Sequence, residues 1–232
     1  MTSLDLVTAL RSTGAARNFH PDPVPDEVLE RLLDTARFAP SGGNRQGWRV
    51  IVVKDPTRRR ALRDLYLDGW YPYLAMAAAG LVPMNPLADL EVESAAAAHA
   101  PELAEAGAAN PGFAETLDSA PALLLVLADL SVLATIDRDL PRYTFVGGAS
   151  IYPFVWSLLL AARTEGLGGV TTTVAIRREA DVKALFDIPE RVAVAALVVL
   201  GRPVTQPHRL KRAPVSSFAW FDRYEGTPLA DS

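Results

Sequence analysis

Apolar residues recur at helical spacing between positions 26 and 37. The stripe consists of Val28, Leu29, Leu32, Leu33 and Ala36. Such a period is typical of an amphipathic helix. Asp26 and Glu27 lie in the first turn, where the helix dipole favours negative charge. The pattern therefore predicts a helix over residues 26–37, and a weaker pattern predicts a short helix over 4–10.

Three apolar runs without helical spacing predict buried strands. They cover residues 48–53, 121–128 and 192–200. Residues 170–174, in which three threonines lie between two valines, are typical of a strand or an extended turn. Helices are predicted over 57–67 and 180–186. The chain therefore mixes helices with buried strands.

An uncharged run of 20 residues extends from Tyr143 to Ala162 and is bounded by Arg142 and Arg163. Its length could span a bilayer. Glycines, serines, tyrosines and a proline interrupt the run, and it lies among strands that need a soluble core. A helix that is apolar on every side also suits the middle of a globular dimer. We therefore predict a buried central helix, ended by the glycine-rich segment 166–169.

Residues 69–119 follow no single pattern. An aromatic, irregular stretch at 69–73 precedes a proline-broken segment and an alanine- and glutamate-rich helical segment over 91–108. A helix with such a thin apolar stripe covers another part of a protein more readily than it forms a core. We predict a lid, whose aromatic residues either line a substrate pocket or simply pack. The candidate pocket residues are Trp70, Tyr71 and Phe113.

Composition narrows the chemistry. The chain has 232 residues, 50% of them hydrophobic, and a net charge of −4, so neither nucleic acid nor an anionic membrane is favoured as a partner. It has no cysteine, and its three histidines show no metal-ligand spacing, so we expect no disulfide, no thiolate chemistry and no metal site. The first residues show no signal-peptide pattern, and we expect a cytoplasmic enzyme. Neither a Rossmann nor a P-loop glycine pattern is found.

The connection between the amphipathic helix and the first strand is the main candidate for chemistry. Gly42 and Gly43 allow a flat or anionic ligand to approach the backbone, because no Cβ intervenes. Ser41, Asn44 and Gln46 add side-chain donors and acceptors. The alternative is an ordinary helix-to-strand loop, in which these residue types are expected for conformational reasons.

Two basic sites could hold an anionic ligand. Arg17 follows a segment of small residues, and a guanidinium there could hold a phosphate or a carbonyl oxygen in a fixed geometry. The alternative for Arg17 is a solvated surface arginine. A second basic cluster lies near the C-terminus, within residues 207–214.

Taken in order, these segments resemble the nitroreductase family of flavoenzymes. The resemblance rests on Arg17-Asn18-Phe19, a Pro-Val-Pro link at 23–25, the segment from Ala39 to Arg49, Gly166-Leu167-Gly168-Gly169 and Lys211-Arg212-Ala213-Pro214. It covers nearly the whole chain apart from residues 69–119, where the family varies. It implies a single α+β FMN-binding domain over residues 1–232, with a central mixed or antiparallel sheet flanked by helices. It also implies a homodimer with a long buried helix at the interface and C-terminal tails that wrap the partner.

The same resemblance implies a flavin site shared by both chains. Arg17 would face the pyrimidine and ribityl side of FMN, the backbone near Thr172 and Thr173 would lie near N5, and the C-terminal cations would bind the phosphate. The loop from Pro40 to Gln46 would contact the flavin largely from the partner chain. The implied cofactor-binding residues are Gly14, Ala15, Arg17, Pro40, Ser41, Gly42, Gly43, Asn44, Gln46, Gly169, Thr172, Thr173, Lys211 and Arg212. No catalytic side chain and no metal are implied, because the flavin performs the chemistry.

The implied activity is the reduction of nitroaromatics, quinones or related acceptors by NADH or NADPH in a ping-pong reaction. Two alternatives stay open: a flavoenzyme of the same fold dedicated to a biosynthetic oxidation or alkene reduction, and a non-catalytic flavin-binding protein. One departure from the family pattern concerns the phosphate. Gly14 and Ala15 stand where the family usually has Arg-Ser, so we expect the C-terminal cluster, including Arg209, to carry more of the phosphate binding.

Overall fold

A four-stranded antiparallel sheet forms the centre of the computed structural model, which describes residues 4–229. The strands are β1 (Trp48–Val52), β2 (Ala122–Asp129), β3 (Gly168–Thr172) and β4 (Val192–Gly201), in the spatial order β1-β2-β4-β3. Every neighbouring pair is antiparallel. The two central strands, β2 and β4, are buried along almost their whole length. Burial on both faces explains why their sequences are continuous apolar runs without alternation.

Helices cover both faces of the sheet. They are α1 (Leu6–Ser12), α2 (Asp26–Ala36), α3 (Pro56–Ala78), α4 (Leu90–Ala97), α5 (Ala100–Ala109), α6 (Tyr152–Thr164) and α7 (Glu179–Leu185). Helices α2 and α6 pack on the face that presents Leu124 and Val126 of β2. Helices α3 and α7 pack on the opposite face, against Leu123 and Leu125. The prediction of a mixed or antiparallel sheet flanked by helices, which the family resemblance implied, is confirmed, and the sheet is antiparallel.

The prediction of an irregular stretch at 69–73 is wrong. Helix α3, which is 23 residues long, continues through this stretch, with Pro72 in its interior. A proline at such a position removes one helical hydrogen bond. Tertiary packing compensates, because Tyr66, Trp70 and Tyr73 lie on one side of the helix and their rings stack at centroid distances of 5.9 and 5.7 Å. Further along, the helix predicted over 91–108 is two helices, α4 and α5, which separate at Ala98 and His99.

The uncharged run is helical only in its second half. Helix α6 begins at Tyr152, with Pro153 in its first turn, and residues 143–151 form a 3₁₀ turn and irregular backbone. Gly168 and Gly169 belong to strand β3 and do not end the helix as predicted, whereas Gly166, with a φ of 72°, follows it directly. Among residues 4–229 no helix is long and apolar enough to cross a membrane.

Helix α6 also presents an apolar face that residues 4–229 do not cover. Phe154, Val155 and Leu158 are buried against the sheet. Tyr152 and Trp156, one turn apart, are 45% and 39% exposed. The predicted helix that is buried on every side is therefore buried on one side only within a single subunit.

Candidate functional site

The N-terminal segment lies along the exposed edge of the sheet, beside β3. Ala15 forms a parallel bridge with Gly169, and the Ala16 amide donates to the Gly169 carbonyl over 3.0 Å. Further on, the His20 amide donates to the Arg202 carbonyl over 2.9 Å. The fold thus brings Gly14 and Ala15 next to Gly169, which is far from them in sequence, and the family resemblance assigns all three to one site.

Two glycines permit this close approach. A Cβ on Gly169 would lie 2.5 Å from Leu200 Cδ2 and 2.6 Å from the Val199 carbonyl oxygen. A Cβ on Gly14 would lie 2.7 Å from Pro207 Cβ and 2.9 Å from Leu210 Cδ2. Only glycine fits at these positions without displacement of neighbours.

The C-terminal segment is anchored next to Gly14. The Gln206 side-chain amide donates to the Gly14 carbonyl over 3.3 Å and to the Pro207 carbonyl over 3.1 Å. The exposed cations of Lys211 and Arg212 follow directly. Neither they nor Arg209 form an ion pair with a carboxylate within residues 4–229. This end of the sheet therefore presents a cluster of positive charge that no carboxylate of the described residues pairs with.

Arg17, Tyr66 and Thr172 converge beside the same edge strand. The Tyr66 hydroxyl lies 3.2 Å from Thr172 Oγ1, and either oxygen can be the donor. Burial raises the pKa of Tyr66, while the hydrogen bond to Thr172 and the charge of nearby Arg17 act in the opposite direction. Arg17 itself is exposed and forms no ion pair with the described carboxylates. Thr173, which follows Thr172 in the sequence, is also exposed. We call residues 14–17, Tyr66, Gly169, Thr172 and Thr173 the β3-edge half of the site.

Aromatic residues flank this half. Trp70 stacks between Tyr66 and Tyr73. Phe113 and Arg17 line a common cavity of about 190 Å³. The Tyr71 hydroxyl, in contrast, donates to Glu115 Oε1 over 2.8 Å, and burial together with this carboxylate raises the pKa of Tyr71 to about 12. The structure therefore associates Phe113 with Arg17 and gives the Tyr71 hydroxyl a structural partner.

The Gly-Gly loop, residues 40–46, has the opposite character. It is exposed along most of its length and contains a 3₁₀ turn over Gly42–Asn44. Gly43, Asn44 and Gln46 have φ values of 60°, 53° and 51°. Such left-handed backbone is uncommon for residues other than glycine, and asparagine tolerates it best. The Ser41 hydroxyl accepts from the Gln46 amide over 3.0 Å and so fixes the turn.

A second loop, which contains Ser150, contacts the Gly-Gly loop and supports it. The Gly42 amide donates to Ser150 Oγ over 3.0 Å. Ser150 belongs to a segment organised by Asp137, a carboxylate that is almost fully buried. Burial alone would raise the pKa of Asp137, but hydrogen bonds from the Phe145 amide and the Arg142 guanidinium hold it at about 2.

The two halves lie at different corners of the molecule. The Gly-Gly loop leads into β1, at one edge of the sheet, whereas Gly169 and Thr172 lie on β3, at the other edge. Three strand spacings separate these edges, about 14 Å. Across the sheet, Trp48 lies opposite Ala128, and Ala128 lies opposite Ala193 near the start of β4. Gly169 lies opposite Leu200, near the end of β4. Trp48 and Gly169 are therefore also separated by roughly 20 Å along the strand direction. One chain therefore does not bring both halves onto one small ligand.

Three contacts of this site were not predicted from sequence. Tyr66 shares a helix face with the buried Leu62 and Gly69, and that pattern indicated only packing. Gln206 lies in a polar segment without any distinguishing pattern, and Ser150 lies inside the uncharged run. No local signal distinguishes the Tyr66 hydroxyl, because Trp70 and Tyr73 lie on the same side of the helix and make its aromatic character typical of packing. No group of His, Asp or Glu side chains in the described part of the chain could hold a metal ion.

Comparison with known proteins gives a consistent result. The model of the Nitroreductase family matches residues 10–202. The NADH dehydrogenase of Thermus thermophilus is 31% identical over 212 residues, which cover 91% of this chain and 93% of that protein. The 5,6-dimethylbenzimidazole synthase of Rhodospirillum rubrum is 29% identical over 187 residues, which cover 81% of this chain and 76% of the synthase.

A solved structure supports the fold. The NADPH:FMN oxidoreductase from Vibrio harveyi, complexed with NAD+, superposes with a TM-score of 0.64 at 20% sequence identity. The match covers 94% of this chain and 77% of the Vibrio chain. At this identity the likeness shows that the two chains share a fold.

Proposed function

Because the chain belongs to the nitroreductase family, we propose that it is an FMN-dependent oxidoreductase that uses NADH or NADPH to reduce a small acceptor, such as a nitroaromatic compound or a quinone. Its relatives include a protein named as an NADH dehydrogenase, and the fold is that of an NADPH:FMN oxidoreductase. FMN, when bound, supplies the redox chemistry, while the protein binds it and selects what reaches its open face.

The observation that carries this proposal is the β3-edge half of the site. It combines a guanidinium without an ion pair among the described residues, Arg17, with the half-buried end of an edge strand at Thr172, the exposed Thr173 and a partly buried aromatic wall. This donor set fits the oxygen- and nitrogen-rich edge of a flavin. Arg17 would bind the pyrimidine side, where a fixed positive charge stabilises negative charge that develops on reduction.

The phosphate of FMN would bind to the C-terminal cations. Arg209, Lys211 and Arg212 are exposed and have no carboxylate partner within residues 4–229, and a guanidinium matches the geometry of a phosphate. Gly14 and Ala15 contribute no side-chain cation, but the packing of Pro207 against Gly14 holds the cationic segment beside them. The donor set at this end thus fits a phosphate without the Arg-Ser pair of the family.

We propose that two copies of the chain complete each site. The Gly-Gly loop is too far from the β3 edge of its own chain to share a ligand with it, so residues 40–46 would reach the flavin of the partner. Exposed apolar residues are available for such an interface. They include Leu6, Val7, Tyr152 and Trp156. A stable interface with an apolar core would cover them. The exchange of C-terminal tails between subunits stays a prediction.

The acceptor would bind beside Phe113 and Trp70. Phe113 lines the cavity that also contains Arg17. Of the lid predicted over residues 69–119, the part up to Ala78 belongs to α3, and the remainder, including α4 and α5, follows it. A lid formed by this segment would define the shape of the acceptor. The lid, the single-domain organisation and a cytoplasmic location stay predictions.

A biosynthetic flavoenzyme is the second candidate. The specific observation in its favour is the 29% identity with a protein named as 5,6-dimethylbenzimidazole synthase, over 81% of this chain. In that case a dedicated metabolite would take the place of a general acceptor.

Anaerobic reduction of the purified protein tests these proposals. We expect a yellow protein that is bleached by NADH or NADPH and regains its colour when a nitroaromatic or a quinone is added. A yellow protein that neither nicotinamide bleaches would support the biosynthetic candidate. A colourless protein without affinity for added FMN would contradict both.

A further inference from the structure

Helix α3 makes two close contacts with the segment that follows strand β3. The first is the hydrogen bond between the hydroxyls of Tyr66 and Thr172, at 3.2 Å. The second involves Gly69, where a Cβ would lie 2.8 Å from the Val174 carbonyl oxygen. Residues three apart on a helix share a face. The same face of α3 therefore supports both ends of the segment 172–174.

Thr172 is held from two directions. Its hydroxyl oxygen also receives the Val174 amide over 3.5 Å, which closes a local turn. Tyr66 is only 1% exposed, and its ring stacks on Trp70. A buried hydroxyl needs a partner, because an unsatisfied polar group inside a protein is costly. The Tyr66 ring is thus fixed by packing, and its one polar atom points at Thr172.

The hydrogen bond between Tyr66 and Thr172 lies close to the residues of the proposed flavin site. Thr172 ends the edge strand on which Gly169 pairs with Ala15, and Arg17 is close enough to influence the titration of Tyr66. Thr173, immediately after, is exposed. The contact therefore lies directly behind the backbone that faces the proposed flavin site.

We propose that Tyr66 is a positioning residue, which acts through Thr172 to fix the backbone of residues 172–174 beside the flavin. The inference rests on the proposed function and adds a residue that does not itself contact the cofactor. Because α3 ends at Ala78, where the remainder of the segment proposed as a lid begins, the same helix joins the flavin support to that segment.

The test compares Tyr66→Phe and Thr172→Val, each of which removes one hydroxyl and keeps the shape of the side chain. The FMN dissociation constant of the apoprotein is measured by quenching of flavin fluorescence. The expected rise is roughly three- to tenfold for each variant, as for the loss of one hydrogen bond. The double variant should bind about as well as the weaker single variant, because both changes remove the same contact. The visible absorption bands of bound flavin should shift in all three.

Matched controls separate positioning from general stability. Thr171→Val makes the same change one residue earlier, on the other face of the strand, where the hydroxyl is buried and has no hydrogen-bond partner among residues 4–229. Tyr73→Phe makes the same change on α3, at a hydroxyl without a hydrogen bond to the described residues. Both controls should keep the native FMN dissociation constant and absorption bands.

Two results would overturn the inference, and they are distinguishable. If Tyr66→Phe and Thr172→Val lower the melting temperature of the apoprotein but keep the native FMN dissociation constant and absorption bands, the contact is structural only. If the native protein binds no FMN, the proposed function fails, and this inference fails with it. If Tyr66→Phe does not fold, the comparison of Thr172→Val with Thr171→Val decides the question alone.

Discussion

The β3-edge half and the Gly-Gly loop hold the two parts of the proposed site, and the chain builds them differently. The β3-edge half is assembled from three distant parts of the sequence, whose backbones approach so closely that Gly14 and Gly169 have no room for a Cβ. The Gly-Gly loop is one continuous segment with left-handed backbone at Gly43, Asn44 and Gln46. Its side chains face solvent in the single subunit.

This difference separates stability from binding. In the β3-edge half, Gly169 and Thr172 are also part of the packing, so a substitution at either affects both properties. The exposed Arg17 is the exception in this half. In the Gly-Gly loop, the surface that would contact the flavin packs against little of its own chain. A substitution there should therefore change binding with little change in the free energy of unfolding.

The largest expected effect is on stability, and it appears when glycine is replaced by valine in two separate variants, one in each half of the site. Gly169→Val would place side-chain atoms within 2.6 Å of Leu200 and the Val199 backbone. Overpacking of this kind costs about 3 kcal/mol. The melting temperature should fall by roughly 6 to 12 °C. Thermal unfolding of the apoprotein measures this.

Gly42→Val is the counterpart in the loop. The nearest atom to a Cβ there is Ser150 Oγ at 3.5 Å, an ordinary contact. We expect a change in unfolding free energy below about 1 kcal/mol, together with a clear loss of FMN affinity, because a branched side chain separates the backbone from the flavin. Equal losses of stability in the two variants would contradict the comparison.

The second-largest expected effect is a pH-dependent change in stability. It concerns Asp137, which organises the segment that supports the Gly-Gly loop. The pKa of Asp137 in the folded protein is about 2, below its ordinary value of 3.8. A lowered carboxyl pKa stabilises the fold above the unfolded pKa, and this contribution is lost as the pH falls through the folded pKa. Asp137→Asn should therefore be less stable than the native protein at pH 7, and the difference should shrink between about pH 4 and pH 2. Chemical denaturation across this range measures it.

Asp139→Asn is the matched control for Asp137→Asn. Its carboxylate is exposed and pairs with the exposed Arg138, and such pairs contribute little. A difference between Asp137→Asn and the native protein that persists unchanged at pH 2 would show that shape, and not charge, makes Asp137 important.

The same contrast explains what could be predicted from sequence. The family, a mixed or antiparallel sheet and the approximate strand bounds were predicted and are confirmed. The strands were predictable because they are continuous apolar runs, and the family, which implies the sheet, because the Gly-Gly loop is one contiguous motif. The irregular stretch predicted at 69–73 is wrong, since the stacking of Trp70 between two tyrosines outweighs the disfavoured Pro72. Stacking of this kind depends on a helix that is already packed against the sheet.

Long-range contacts account for the rest. The pairing of Tyr66 with Thr172 joins residues 106 positions apart, and the anchoring of Gln206 on Gly14 joins residues 192 positions apart. No local pattern encodes either pair. The roles of the predicted site residues stay predictions, although the fold places Gly14, Ala15, Arg17, Gly169 and Thr172 along one edge.

The smallest effect tests whether the two halves belong to different chains. Arg17→Ala removes the free cation of the β3-edge half and should raise the FMN dissociation constant about tenfold, with little change in stability. Gly42→Val damages the other half. When the two variants are coexpressed, each mixed dimer has one site with both defects and one with none. Random pairing makes about half of the dimers mixed, so about a quarter of all sites are native. Titration at an FMN concentration between the native and variant dissociation constants should detect this quarter. A mixture that binds no better than the separate variants would show that both halves act within one chain, and a monomer in light scattering would show the same more directly.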